Sequence, residues 1–263
     1  MAAWIVYDRL DADEDCRETA ELLEVVVEDE ETHLLAIEKI VNYAVFFSGL
    51  APEDCLILVG NDGTLHRFVE ETRSLPLPER LLYYPCGTGC GLARGLGRDP
   101  YATPSPVREL LRPLPTVEWQ GREEAFVCTV GAGLSDHGRR SSRSGRFRPV
   151  GAEVTVDGVS HSFGRTWLVQ GARSVDWGGV GQEGAAALTT LTVLHGAGRL
   201  TALRLLPAVL AGRRMKCRRH AAVLTGREIT VRFDRPVPLQ IDGEPGPEVR
   251  EYTIRTAQTP AQH

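Results

Sequence analysis

The chain has 263 residues, 42% of them hydrophobic and 25% charged, with a formal net charge of −5. That length and apolar content suit a folded protein with one large core or two moderate ones. No apolar run approaches the ~18 residues needed to span a bilayer, the start lacks the basic and long apolar pattern of a signal peptide, and an acidic pI of 5.8 without interleaved aromatics argues against nucleic acid.

Strand and helix patterns alternate through the first part of the chain. Residues 4–7 read as a strand, a helix follows from about Asp13, residues 22–27 read as a second strand, and a helix is expected around 32–47. Cys55-Leu56-Ile57-Leu58-Val59 is a continuous apolar run, short enough for a strand buried on both faces. After Gly60-Asn61-Asp62-Gly63, the residues Leu65, Phe68 and Val69 fall on one helical face. Leu81-Leu82-Tyr83-Tyr84 predicts the next strand. Pro85, Gly87, Gly89 and Gly91 then set a second turn, which opens a helix carrying Leu92 and Leu96.

The organisation changes near residue 113. Residues 101–106 read as a link, and a short helix is expected at 107–111. Beyond them come short β-rich pieces at 116–119, 125–130, 152–156, 162–170, 188–194, 227–233, 238–241 and 249–254. Asp157-Gly158 predicts a tight hairpin turn, and one helix, at 200–214, interrupts the β region. The expected fold class is therefore α/β: a Rossmann-like three-layer domain over 1–113, then an antiparallel β-sandwich domain over 114–263, with the cleft between them as the default site.

Two glycine turns in series, each between a strand and a helix, make a βαβα unit whose loops share one edge of a parallel sheet. Such folds bind ligands there. Glycine lacks a Cβ, so a phosphate can approach the backbone, and the following helix N-termini supply partial positive charge. Ordinary tight βα turns are the alternative on spacing alone. Asp62 by itself could equally be an Asx-type cap on the helix that follows it.

At these residues the chain resembles the diacylglycerol kinase and sphingosine kinase group of lipid kinases, distant relatives of NAD kinases. Gly60, Asp62, Gly63 and Thr64 match the family's Gly-Gly-Asp-Gly-Thr turn. Pro85, Gly87, Thr88, Gly89, Ala93, Arg94, Leu96 and Gly97 match its second turn, which the NAD kinase branch does not share. Downstream, Gly131-Ala132-Gly133, Gln170-Gly171 with Trp177-Gly178-Gly179, and Ile241-Asp242-Gly243-Glu244 resemble later family segments in the same order. The resemblance runs over roughly residues 50–255 and so covers most of the chain. It implies an ATP-dependent kinase with Mg²⁺, acting on the hydroxyl of a lipid or other small-molecule acceptor. In the implied site Gly60, Asn61, Asp62, Gly63, Thr64, Gly87, Thr88 and Gly89 contact the nucleotide phosphates, and Asp62 is tied to the metal. Asp242 and Glu244 match residues that face the site between the domains, and Asp62 and Glu244 are the candidate catalytic residues. The family's C-terminal segment can return to the first domain.

The chain also departs from the family. Asn61 replaces the second glycine of the first turn, Cys90-Gly91 replaces an Asn-Asp pair, and the place of an Asn-Pro-x-x-Gly phosphate loop reads Tyr7-Asp8-Arg9-Leu10-Asp11-Ala12-Asp13. Aligned on Leu191-Thr192-Val193, the position of the general base falls on Leu188, which cannot accept a proton; Asp176 or Glu183 could substitute only with a shifted backbone. A catalytically impaired homologue that binds a nucleotide, lipid or protein is therefore the alternative function.

Charge is uneven: 12 acidic residues and two arginines lie between Asp8 and Glu31. Two basic runs, Arg139 through Arg148 and Arg213 through Arg219, could contact an anionic membrane, each basic residue contributing about 1 kcal/mol near the surface. The alternative for both is a solvated loop and helix end. The six cysteines are scattered, which suits reduced thiols and a cytoplasmic location. Cys86 and Cys90 lack the second Cys/His pair that a zinc site would need. The sequence does not fix the oligomeric state.

Overall fold

A computed structural model describes residues 1–9, 16–27, 31–87, 90–95, 103–134, 147–173, 188–210 and 219–257. The chain divides into two compact units, Met1–Pro113 and Leu114–His263.

The first unit is built on a five-stranded sheet in the order β2-β1-β3-β4-β5. Its strands are β1 (Ala2–Tyr7), β2 (Glu31–Ala36), β3 (Cys55–Gly60), β4 (Arg80–Pro85) and β5 (Ser105–Pro106). The first four are parallel, and only β5 runs antiparallel, on β4. Register aligns Tyr7 with Ala36 and Val59, and Gly60 with Pro85, so the strands end at one common edge. The chain leaves β1 toward β2 on one side and later returns to place β3 on the other. That reversal puts a topological switch point, the usual ligand position of an open α/β sheet, between β1 and β3.

Helices cover both faces. In α1 (Cys16–Val26), Cys16, Ala20 and Leu23 recur at helical spacing and pack on Ile5, Tyr7, Ile57 and Val59. Alternation along the strands sends Trp4 to the opposite face, where it meets Phe46 of α2 (Tyr43–Ser48). Phe47 and Tyr43 of α2 in turn contact Phe68 of α3 (Asp62–Glu71). The β4 turn leads into α4 (Gly91–Gly95).

Two expectations for this unit are corrected. Residues 22–26 are helical rather than a strand, because Leu23 alone among them is buried while Leu22, Val25 and Val26 face outward. Residues 31–36 form a strand rather than the start of a helix, because parallel pairing with β1 takes up their backbone groups. Helix α2 begins only at Tyr43, where the Asn42 side chain caps it. The short helix expected at 107–111 is one 3₁₀ turn, Arg108–Leu110. The end of the expected link pairs with β4 as β5.

The second unit is a ten-stranded antiparallel sheet. Its strands are β6 (Thr116–Trp119), β7 (Arg122–Ala125), β8 (Thr129–Gly133), β9 (Val150–Val156), β10 (Val159–Thr166), β11 (Leu168–Arg173), β12 (Thr189–Leu194), β13 (Ala221–Gly226), β14 (Glu228–Ile241) and β15 (Glu244–Arg255). β14 organises it: its first half pairs with β9, its last residues pair with β8, and β15 pairs along its length. One apolar cluster draws side chains from β8, β9, β11, β12, β14 and β15, so these strands pack around a shared core. The helix α5 (Arg199–Leu210) joins a second cluster with Trp167 and Leu194.

The strand expected at 162–170 is two strands. Arg165 takes a left-handed φ of 51°, Trp167 breaks the ladder, and its indole N–H donates to the Ala197 carbonyl at 2.9 Å. Residues 125–130 likewise break at Phe126, between β7 and β8. Conversely, the pieces at 227–233 and 238–241 are one strand with shifted register between Arg232 and Val237. The expected helix at 200–214 is described through Leu210, its remainder lying outside the described residues.

Leu58 lies in a strand buried at every position and is itself wholly inaccessible. Leu58→Ala should cost about 2–5 kcal/mol in urea unfolding, with no comparable loss for Leu22→Ala on the exposed face of α1.

Candidate functional site

The first turn is built by steric exclusion and capping. A Cβ on Gly60 would lie 2.3 Å from Thr64 Oγ1, so only glycine lets the first turn of α3 close against the end of β3. The Gly60 carbonyl accepts the Cys86 N–H and the hydroxyl of the wholly buried Tyr83, each at 2.9 Å. The end of β3 is thereby held to β4. Asn61 caps α3, accepting the Thr64 N–H at 3.1 Å, while Thr64 Oγ1 accepts the Asn61 N–H at 3.3 Å. The residue that departs from the glycine pattern therefore completes a reciprocal capping box.

Asp62 is 7% exposed and turns its carboxylate toward the second turn. Its oxygens accept the Gly91 N–H at 2.6 Å and the Leu92 N–H at 3.1 Å, across 29 and 30 residues. The carboxylate caps α4 and joins the two glycine turns. Gly87 takes a φ of 92°, which the second turn requires at that point. The Cys90 thiol lies 3.4 Å from the Gly87 carbonyl and 3.6 Å from that of Cys86. Thr88 and Gly89 lie outside the described residues.

A polar cluster stands at the ends of β1 and β3. The Asp8 backbone N–H donates to the Val59 carbonyl at 3.1 Å, and its buried carboxylate accepts the Thr64 hydroxyl at 2.7 Å. Arg67, one helical turn beyond Thr64, forms an ion pair with the same carboxylate. The sequence pattern does not mark Arg67. Its i+3 spacing from Thr64 is the one available signal, and nothing local indicates a partner 59 residues away.

In the second unit Asp242 and Gly243 form the β14–β15 turn with φ values of 49° and 87°. Asp242 is 5% exposed, and its carboxylate accepts the N–H groups of Val127, Cys128 and Thr129 at 2.6, 2.7 and 2.9 Å. This fixes the segment between β7 and β8. Arg173, a second residue not foreseen, lies in the field of Asp242 and Cys128, while its burial pulls the guanidinium below its ordinary value. Glu244 is exposed at the start of β15. Gly133, at a φ of 114°, allows Trp167 to approach; a Cβ there would lie 2.5 Å from the Trp167 carbonyl oxygen. Packing alone thus accounts for the second glycine of Gly131-Ala132-Gly133.

Leu188 is 39% exposed immediately before β12 and offers no proton acceptor. Asp176 and Glu183 lie outside the described residues, as do most of both basic runs, although Arg148 and Arg219 are described. Among the described residues there is no cluster of three or more His, Cys, Asp or Glu able to hold a metal. No helix among them is long and apolar enough to cross a membrane.

Residues 142–257 match the family model described as the YegS C-terminal NAD kinase beta sandwich-like domain. The fold is that of solved structures from Bacillus anthracis str. Sterne. One, a candidate diacylglycerol kinase, has a TM-score of 0.61 at 16% identity over 98% of this chain and 94% of its own. Another, a diacylglycerol kinase, has a TM-score of 0.58 at 13% identity over 97% and 94%. No curated protein matches the chain. The class is thus a two-unit α/β and β protein of the kind seen in those structures. The matched domain lies within the second unit, and these neighbours, at 13% to 16% identity, show the fold.

Asp242→Ala removes the acceptor of three backbone donors. With the Val127 donor buried and the other two part-buried, at about 1–3 kcal/mol for a buried donor left unpaired, a loss of at least ~1 kcal/mol is expected in chemical denaturation. Glu244→Ala, at an exposed position, should stay within about 0.5 kcal/mol of the parent.

Proposed function

We propose that the chain is an ATP-dependent lipid kinase that phosphorylates a hydroxyl of a diacylglycerol- or sphingosine-like acceptor. The observation that carries this reading is the joining of the two glycine turns, at adjacent strand ends, by the Asp62 carboxylate. Gly60, Asn61, Gly63, Thr64 and Gly87, with Thr88 and Gly89, would line the phosphates. Both Asp62 oxygens already accept N–H bonds, so the described residues offer Mg²⁺ no preformed carboxylate cage. Mg²⁺ commonly binds through one or two carboxylates plus substrate phosphates, and Asp62 is the carboxylate nearest that role. Bound there, the ion would supply charge neutralisation for phosphoryl transfer. Asp242 fixes the backbone between β7 and β8, and the exposed Glu244 beside it stays available to solvent and ligand. A cytoplasmic protein with peripheral contact to an anionic membrane through the basic runs fits this substrate class.

A second reading, an impaired homologue that binds without transfer, is favoured by two particular observations. Leu188 aligns with the position of the family's general base, and the Asp8 carboxylate sits at the edge that would receive a triphosphate.

Thermal-shift titration with Mg·ATP and Mg·ADP tests both readings. Binding should raise Tm, by the equivalent of about 2.7 kcal/mol when ligand reaches 100 times Kd. Radiolabelled ATP with diacylglycerol or sphingosine in mixed micelles should then give labelled lipid. Stabilisation without labelled lipid selects the impaired homologue, and no stabilisation at millimolar Mg·ATP overturns nucleotide binding itself.

A further inference from the structure

We propose that Asp8 is an internal carboxylate plug on an oxyanion-binding site made by the Thr64 hydroxyl and the Arg67 guanidinium, and that a phosphate-bearing ligand enters by displacing it. The inference rests on the reading of this edge as a phosphate site. Three independent features converge on it.

The first is position: Asp8 follows β1 and Thr64 follows β3, so the cluster stands at the switch point, against the N-terminal turn of the ten-residue helix α3. The second is chemistry. Thr64 donates to Asp8 at 2.7 Å and Arg67 pairs with the same oxygen, Oδ2. A hydroxyl and a guanidinium converging on one oxygen at a helix N-terminus is the donor set that recognises a phosphate. Asp8 supplies that anion from within the chain.

The third feature is unsatisfied hydrogen-bonding capacity around the plug. Arg67 Nε is buried without a hydrogen-bond partner among the described residues. The Tyr43 hydroxyl is in the same condition, on a residue 5% exposed that lies in the field of both Arg67 and Asp8. Burial, Glu71 and Asp8 raise the Tyr43 phenol well above its usual value and outweigh Arg67, so the group stays a protonated donor. These two buried donors have no partner among the described residues, whereas a tetrahedral oxyanion presents more acceptors than a carboxylate. Glu71 is the opposing charge that acts on Tyr43. The Arg67 side chain remains 35% exposed, so a ligand can reach the guanidinium.

Asp8→Asn keeps the shape and an acceptor oxygen while removing the charge. Calorimetric titration of the full chain with inorganic phosphate, pyrophosphate and ADP, without Mg²⁺ or lipid, should show at least about tenfold tighter binding to Asp8→Asn than to the parent for one or more of them. Whichever ligand gains most identifies the source of the phosphate. The gain should vanish in Asp8→Asn/Arg67→Met. Asp8→Ser serves the same comparison if Asp8→Asn fails to fold. Equal affinities in parent and variants, with only a lowered Tm, would mean that Asp8 is a structural clamp and would overturn the plug. The outcome is separable from the kinase reading: parent protein that binds Mg·ATP with no gain in Asp8→Asn rejects the plug alone. A gain in Asp8→Asn without lipid phosphorylation rejects transfer alone.

Discussion

The carboxylate of Asp62 is the constraint around which the parallel-sheet unit is arranged. Two strand-to-helix turns separated by 29 residues must be held together if both are to face one ligand. A buried carboxylate accepting two N–H groups at the start of α4 does this with one side chain. Hydrogen bonds to a charged acceptor contribute about 1.5–3 kcal/mol each, more than a neutral bond. The same carboxylate offsets the positive end of α4. Gly60 completes the arrangement from below, since its carbonyl receives Tyr83 and Cys86 and its missing Cβ admits Thr64.

The second unit repeats the device with different partners. Asp242 precedes a glycine, takes a left-handed turn, and accepts three N–H groups from a segment more than 100 residues away. Asp157, also before a glycine, accepts the N–H groups of Arg227 and Glu228 and so ties the β9–β10 hairpin to the start of β14. Asp234 accepts the Gly151 N–H at 2.8 Å. A short carboxylate beside a flexible residue reaches a neighbouring backbone at little side-chain entropy cost. Asp–Gly pairs in this chain are therefore staples between distant segments as well as turns.

That dual use explains what the amino-acid pattern reveals and what it hides. Strand β3, the buried face of α3 and the Asp157-Gly158 hairpin follow from local periodicity and turn chemistry, so they are legible. So are the α/β character of the first unit and the antiparallel sheet of the second. The strand expected at 22–27 fails because β-branched residues on a solvent face imitate a strand run, while the deciding contact, Leu23 on the sheet, is tertiary. The break at Trp167 is hidden for the same reason: the indole leaves the ladder to reach Ala197 and the α5 cluster. At the candidate site, the turn residues are legible from their glycines. The partners are not: Arg67 for Asp8, Gly91 for Asp62 and Val127 for Asp242 all lie far away in sequence.

The departures at the two turns can be sorted by the same distinction between backbone and side chain. Asn61 in place of glycine keeps the first turn because its amide caps α3 and does not need a left-handed φ; its φ is −101°. Gly91 in place of a polar residue keeps the bridge to Asp62 because a backbone N–H is the donor, and every residue but proline has one. Cys90 directs its thiol back toward the carbonyls of Gly87 and Cys86, so it finishes the turn internally and presents no polar group outward. Each substitution preserves an interaction made by the main chain. Under the proposed function Leu188 is of a different kind, because proton acceptance would belong to a side chain and no backbone group replaces it. Selection on fold alone would permit all four changes, whereas the proposed phosphoryl transfer would require the loss at Leu188 to be compensated from elsewhere in the chain.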